Sequence, residues 1–338
     1  MRVDVHSHFL PPRYFSEMAR LGAPDRVESF SVYTPMLANV AESQFAAGEQ
    51  AFIDGLIEQM DRCDVDLAVL SIGALQPYFP DHQAATSAVR YANTMLAEAV
   101  AMGGGRLAAF GSVPLPHAAA ACDELAYCLD ELGFAGVNLG CSADGRPLDD
   151  PAFADLWAAA DERGATVFLH PGTTPKMAVG SADFHLAPDF CSPTEMAVAL
   201  CRLVVSKITS RHPRVGYIAG TTGGTLPYLA RRFDRGLMHS HPELHAELGG
   251  VINQLQKLWY DTSMIEDPQV LDVARASVGV DRLVLGSDIP RGPLAEAVDF
   301  IANSDRLTAP EKTQILDCNA AELLRLDLVG KADQATSS

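Results

Sequence analysis

A chain of 338 residues with a net charge of −18 and a hydrophobic fraction of 48% can bury either one large α/β barrel core or two ordinary ones. Such acidity argues against nucleic acid and anionic membrane surfaces as partners, since both are gripped by Lys/Arg patches. Seven cysteines (Cys63, Cys122, Cys128, Cys141, Cys191, Cys201 and Cys318) are scattered, odd in number and never in a C-x-x-C pair, which fits reduced thiols rather than a disulfide framework. No basic, apolar leader opens the chain and no apolar run is long enough to cross a bilayer, so a cytoplasmic protein is expected.

In chain order, short runs rich in Val, Ile, Leu, Phe and Ala predict strands near 2–8, 65–71, 107–113, 134–140, 165–170, 214–220, 258–262 and 282–287. The runs are almost continuously apolar, as parallel strands covered on both faces should be. Helical patterns lie between them at 54–63, 84–102, 118–132, 151–163, 193–211, 225–236 and 268–279, with a last one at 310–325. Asp150-Pro151 and Thr308-Ala309-Pro310-Glu311 are helix starts, while Gly133 and Gly164 are stops. Eight strands alternating with eight helices predict an α/β fold of the (β/α)8 TIM-barrel type, a single domain over 1–330 whose site lies at the C-terminal ends of its strands. Two excursions interrupt the alternation: 9–53, expected as an inserted lid or small subdomain, and 171–192. Residues 331–338 read as a frayed polar tail.

The strand ends carry the chemistry. His6 and His8 lie one step apart on the first strand, so both point to one face. His170 ends the fifth strand and Asp288 follows the eighth. Three imidazoles and a carboxylate at one end of a barrel are ligands for a divalent ion: Zn2+ by default, with Fe2+ or Mn2+ tolerated by the same set. An ion so held could activate a water as nucleophile.

At this point the chain resembles the amidohydrolase superfamily, in the branch of aminocarboxymuconate-semialdehyde decarboxylase and related aromatic-acid decarboxylases, hydratases and lactonases. The resemblance rests on Asp4-Val5-His6-Ser7-His8-Phe9-Leu10-Pro11, Glu131-Leu132-Gly133-Phe134-Ala135-Gly136-Val137, His170-Pro171, Arg211-His212-Pro213-Arg214-Val215, Tyr260-Asp261-Thr262 and Leu285-Gly286-Ser287-Asp288-Ile289-Pro290. It implies His6, His8, His170 and Asp288 as metal ligands and a homodimer acting on a small molecule. It also implies an arginine able to reach a neighbouring subunit's site, a position Arg232 fits. Two departures stand out. Thr221 occupies the place of the family's acid/base histidine, and a hydroxyl does not titrate near neutrality. Leu56 or Glu58 stands where a carboxylate-gripping arginine is usual.

With both groups missing, hydrolysis of an ester, thioester or amide by a metal-activated water becomes the expected reaction. Non-oxidative decarboxylation or hydration, and a non-catalytic ligand-binding barrel, are the alternatives. Asp288 and Thr221 are catalytic candidates, and His185, flanked by Asp183 and Asp189, is the candidate proton shuttle or additional ligand. The fourth strand ends Val137-Asn138-Leu139-Gly140-Cys141 without the lysine or glutamate of a two-metal site, leaving a second ion open. His239, His241 and His245 read as a polar surface or subunit-contact segment.

Overall fold

The computed structural model describes residues 1–172 and 186–326. Asp183, His185 and the expected tail therefore lie outside the described residues. Eight parallel strands form the sheet: β1 Val3–His8, β2 Leu67–Ser71, β3 Leu107–Gly111, β4 Gly136–Gly140, β5 Thr166–His170, β6 Gly216–Ala219, β7 Trp259–Asp261 and β8 Leu283–Val284. Each pairs with the next in sequence order. The sheet closes where Val5 N–H donates to Leu285 O at 2.9 Å and Asp288 N–H donates to His6 O at 2.8 Å. This is the expected (β/α)8 barrel, and each predicted strand overlaps an observed one.

The turn chemistry reads as the sequence suggested. Asp150 accepts from Ala152 N–H to open the turn before helix Ala154–Arg163, and Gly164, left-handed at φ 59°, ends that helix. Thr308 and Glu311 form a reciprocal capping box. Residues 9–53, which showed little periodicity, are mostly helical: α1 Pro12–Arg20, α2 Ala23–Arg26 and α3 Glu28–Gln44, followed by α4 from Glu49 to Arg62. An unanticipated helix, Leu294–Ala302, follows the eighth strand. Among the described residues, no helix is long and apolar enough to cross a membrane.

The barrel interior is filled by one buried cluster, with Val3, Val5, Val69, Phe110, Phe168, Ile218, Trp259 and Val284 meeting at the centre. Phe110 and Phe168 stack with ring centroids 5.5 Å apart, and Phe168 touches the ring of His6 edge-on at 4.8 Å. Simple alternation from Val3 and Val5 would turn His6 and His8 away from this interior. The β1–β2 register shifts between Asp4 and Ser7, and that irregularity brings both histidines in above Phe168.

Phe168 is therefore the floor on which the strand-end histidines rest. Phe168→Ala is expected to cost about 3–5 kcal/mol in denaturant unfolding; a loss below about 1 kcal/mol would show that the barrel interior does not support the site.

Candidate metal centre

Four side chains from three strand ends converge at the barrel mouth. The ligand atoms of His6, His8, His170 and Asp288 all lie within 4.8 Å of one another, the sole such group of His, Cys, Asp or Glu among the described residues. Each imidazole is held by its Nδ1. That of His170 lies 2.6 Å from Pro171 O, a carbonyl that can only accept, so Nδ1 carries the proton and Nε2 is a bare lone pair. Nδ1 of His6 is 2.5 Å from Asp261 Oδ2, and Nδ1 of His8 is 3.1 Å from Ser71 Oγ.

The Nε2 atoms face one another. His6 Nε2 and His8 Nε2 are 3.1 Å apart, while Asp288 Oδ1 lies 3.0 Å from His8 Nε2 and 3.3 Å from His6 Nε2. His170 Nε2 is buried and has no hydrogen-bond partner among the described residues. Lone pairs and a carboxylate oxygen this close repel unless a positive charge sits between them. A proton or a metal ion can supply it. Burial alone would lower the His6 pKa, but the Asp288 and Asp261 carboxylates outweigh that and push it up to about 10. Burial, reinforced by His8 and His6, holds His170 well below its usual value. Burial works against the Asp288 anion, yet the adjoining His6 and His8 hold its carboxyl well below the ordinary range.

The orphaned nitrogen of His170 and the all-N/O donor set fit a divalent ion of the zinc, iron or manganese type. The surrounding groups hold the ligands in place. Asp261 also accepts from Thr222 N–H (3.0 Å) and from Ser263 Oγ (2.9 Å), so it is a fixed anchor for His6. Buried Asp4 accepts from His6 N–H, Ser7 Oγ, Ser287 N–H and Ser287 Oγ, tying the first strand to the turn that presents Asp288. Asp288, Thr221 and Thr222 all have left-handed backbones, at φ 59°, 51° and 54°. Such conformations in non-glycine residues are held by their surroundings and concentrate at functional sites. Gly73, itself at φ 55°, gives room to His8: a Cβ there would lie 2.5 Å from the imidazole Cε1.

Above the centre opens a cavity of about 460 Å3 lined by His8, His170, Thr221, Asp288 and Arg291, and by residues from α3. The Thr221 hydroxyl is buried there without a partner among the described residues. Among the described residues Arg291 is the single Lys or Arg in that lining, its guanidinium 3.8 Å from Asp288 Oδ2 and 3.3 Å from Asp189 Oδ1. Arg232 is exposed on helix Leu226–Ser240 and does not line the cavity of its own chain. His239 and His241 are exposed, and His245 pairs with Asp234 at 3.0 Å. Asn138 in the middle of β4 is engaged by Gln76 and by Phe168 O. Cys141 is buried, its thiol pushed well up by that burial.

The residues missed from sequence are those around the ligands. Asp261 ends an apolar strand just as His170 does, a signal available in Tyr260-Asp261-Thr262 and left unused. Arg291, three residues after Asp288, carried no signal of its own.

A family model described as amidohydrolase matches residues 3–326, and the chain belongs to that family. The 2-amino-3-carboxymuconate-6-semialdehyde decarboxylase of Dictyostelium discoideum is 26% identical over 97% of this chain and 92% of its own length. The 6-methylsalicylic acid decarboxylase of Penicillium expansum is 27% identical over 99% of both chains. Among solved structures, 2,6-dihydroxybenzoate decarboxylase in complex with 2,6-dihydroxybenzoate superposes with a TM-score of 0.80 at 25% identity, covering 96% of this chain and 99% of that one.

These relatives overturn the hydrolysis expected from sequence. That expectation counted absent groups, at Thr221 and at Leu56 or Glu58. It overlooked that hydrolysis needs its own proton donor for the leaving group, which a threonine cannot supply either. Decarboxylation asks for one proton delivered to one carbon, and Asp288 lines the cavity.

Ion binding must displace the proton held by His6, so affinity should rise with pH below about 10. Titrations with Zn2+ or Mn2+ are expected to show about a tenfold gain per pH unit between about pH 7 and 8.5, with release of about one proton per ion. A pH-independent affinity would show that the ion binds elsewhere. Asp261→Asn should weaken binding roughly 10- to 100-fold through loss of the His6 anchor.

Proposed function

We propose that the protein is a metal-dependent, non-oxidative decarboxylase of an aromatic carboxylic acid. The observation that carries this reading is the four-ligand cluster on the floor of a ligand-sized cavity, in a chain similar along almost its whole length to enzymes named as decarboxylases. The reaction replaces carboxylate by hydrogen at one carbon. A proton adds to that carbon, the C–CO2 bond breaks, and its electron pair returns to the ring as CO2 departs.

A divalent ion held by His6, His8, His170 and Asp288, with zinc the default and iron or manganese alternatives, would supply positive charge that fixes the substrate's oxygen anions. The chain's own residues supply the rest. Asp288 has two unlike oxygens: Oδ1 faces His6 and His8, whereas Oδ2 lies toward Arg291. We assign Oδ2 as the atom that relays to the ring carbon a proton taken up when the substrate acid binds, since His6 and His8 keep Asp288 ionised beforehand. Arg291, alone among the described lining residues in carrying a fixed positive charge, draws the acid's anion into an otherwise largely apolar cavity. The partnerless Thr221 hydroxyl donates a hydrogen bond to a substrate oxygen rather than exchanging a proton with it. His185 is a second proton carrier in this scheme, and Arg232 would act across a subunit boundary in a homodimer.

The test is CO2 release from 2,6-dihydroxybenzoate and 6-methylsalicylate by protein loaded with Zn2+ or Mn2+. Activity is expected to vanish on chelation and return with the ion. Asp288→Asn, with metal content measured alongside, should lower kcat by roughly 10^2- to 10^4-fold. Unchanged turnover in a metal-retaining Asp288→Asn variant would remove the proton role, and absence of CO2 from any aromatic acid would remove the reaction.

A further inference from the structure

The cavity is far larger than a benzene ring requires. An apolar cavity of about 150 Å3 suffices to hold benzene, against about 460 Å3 here. The ligands His8, His170 and Asp288 line it together with Thr221, and Asp189, Ser192 and Arg291 add further polar groups. Another part of the lining is one face of α3, which contributes Tyr33, Leu37, Val40, Ala41 and Gln44 at the 3- and 4-residue spacing of a helix face.

Two side chains of that face tie the helix to the rest of the molecule. Tyr33 OH is 2.6 Å from Ser192 Oγ, and Gln44 Nε2 donates to Pro290 O at 3.4 Å. Between these ties, Leu37 is only half-buried and Val40 is 41% exposed although both line the cavity. Apolar side chains wetted inside a cavity lose stabilisation that a bound apolar group would restore.

We propose that the substrate is an aromatic acid carrying a bulky apolar substituent, an alkyl or aryl group opposite its carboxylate, which lies against Leu37, Val40 and Ala41 under α3. The carboxylate end sits at the ligand cluster and Arg291, and the substituent fills the volume that a simple dihydroxybenzoate leaves open. This inference rests on the decarboxylase reading for the orientation of the acid.

Binding and turnover of 2,6-dihydroxybenzoate and its 4-methyl, 4-propyl and 4-pentyl derivatives by the metal-loaded full chain separate the two claims. Affinity is expected to rise about fourfold per added methylene, on the order of a hundredfold from methyl to pentyl. Val40→Asp, at an exposed position that folding does not depend on, and Leu37→Ala should each flatten that slope. CO2 release with affinities that stay level or fall along the series would overturn the substituent pocket and leave decarboxylation standing. A rising series without CO2 release would uphold the pocket and remove the reaction. A slope that survives in both variants would place the substituent elsewhere and overturn the proposal.

Discussion

Three imidazole nitrogens and one carboxylate oxygen are brought within 4.8 Å of one another at the mouth of a barrel, and much of the local structure follows from making that tolerable. Such a group cannot remain buried without positive charge among its members. The histidine tautomers show which charge is intended. Every Nδ1 is committed to an outer partner, so every Nε2 is free to face the centre. A proton can satisfy the His6–Asp288 pair, but it leaves the lone pair of His170 without a partner. A divalent ion satisfies all four at once.

The cost of holding these groups appears in the backbone and in a second ring of polar residues. The register shift in β1 turns two histidines inward where plain alternation would not. Asp4 and Asp261, both fully buried, are surrounded by hydrogen-bond donors that fix the two ends of this arrangement. Left-handed residues at Thr221, Thr222 and Asp288 complete the rim. The ligands, their anchor carboxylates and the left-handed turns thus form one connected unit that rests on Phe168 and lines the cavity.

The barrel was legible because parallel strands buried on both faces leave continuous apolar runs, and because the helix starts at Asp150 and Thr308 use local hydrogen bonds visible in four residues of sequence. The ligands were legible for a related reason, since a polar residue closing an apolar strand stands out. The segment 9–53 was not read as helix because α3 is buried on more than one side, against α1 and α2 as well as toward the cavity, so its apolar residues do not form a single stripe. Arg291 meets Asp189 from a distant part of the chain, and the β1 irregularity shows only in its pairing with β2, so no local pattern records either. The reaction itself was misread for a chemical reason: a missing histidine says which group does not move the proton, and nothing about which group does.

The most direct test of the account is X-ray absorption spectroscopy of the metal-loaded protein at the metal edge. The account requires a shell of N and O donors at about 2.0–2.2 Å with outer scattering from about three imidazole rings. A spectrum without imidazole scattering, or with sulfur at about 2.3 Å, would contradict it, because the ion would then be held by something other than His6, His8, His170 and Asp288.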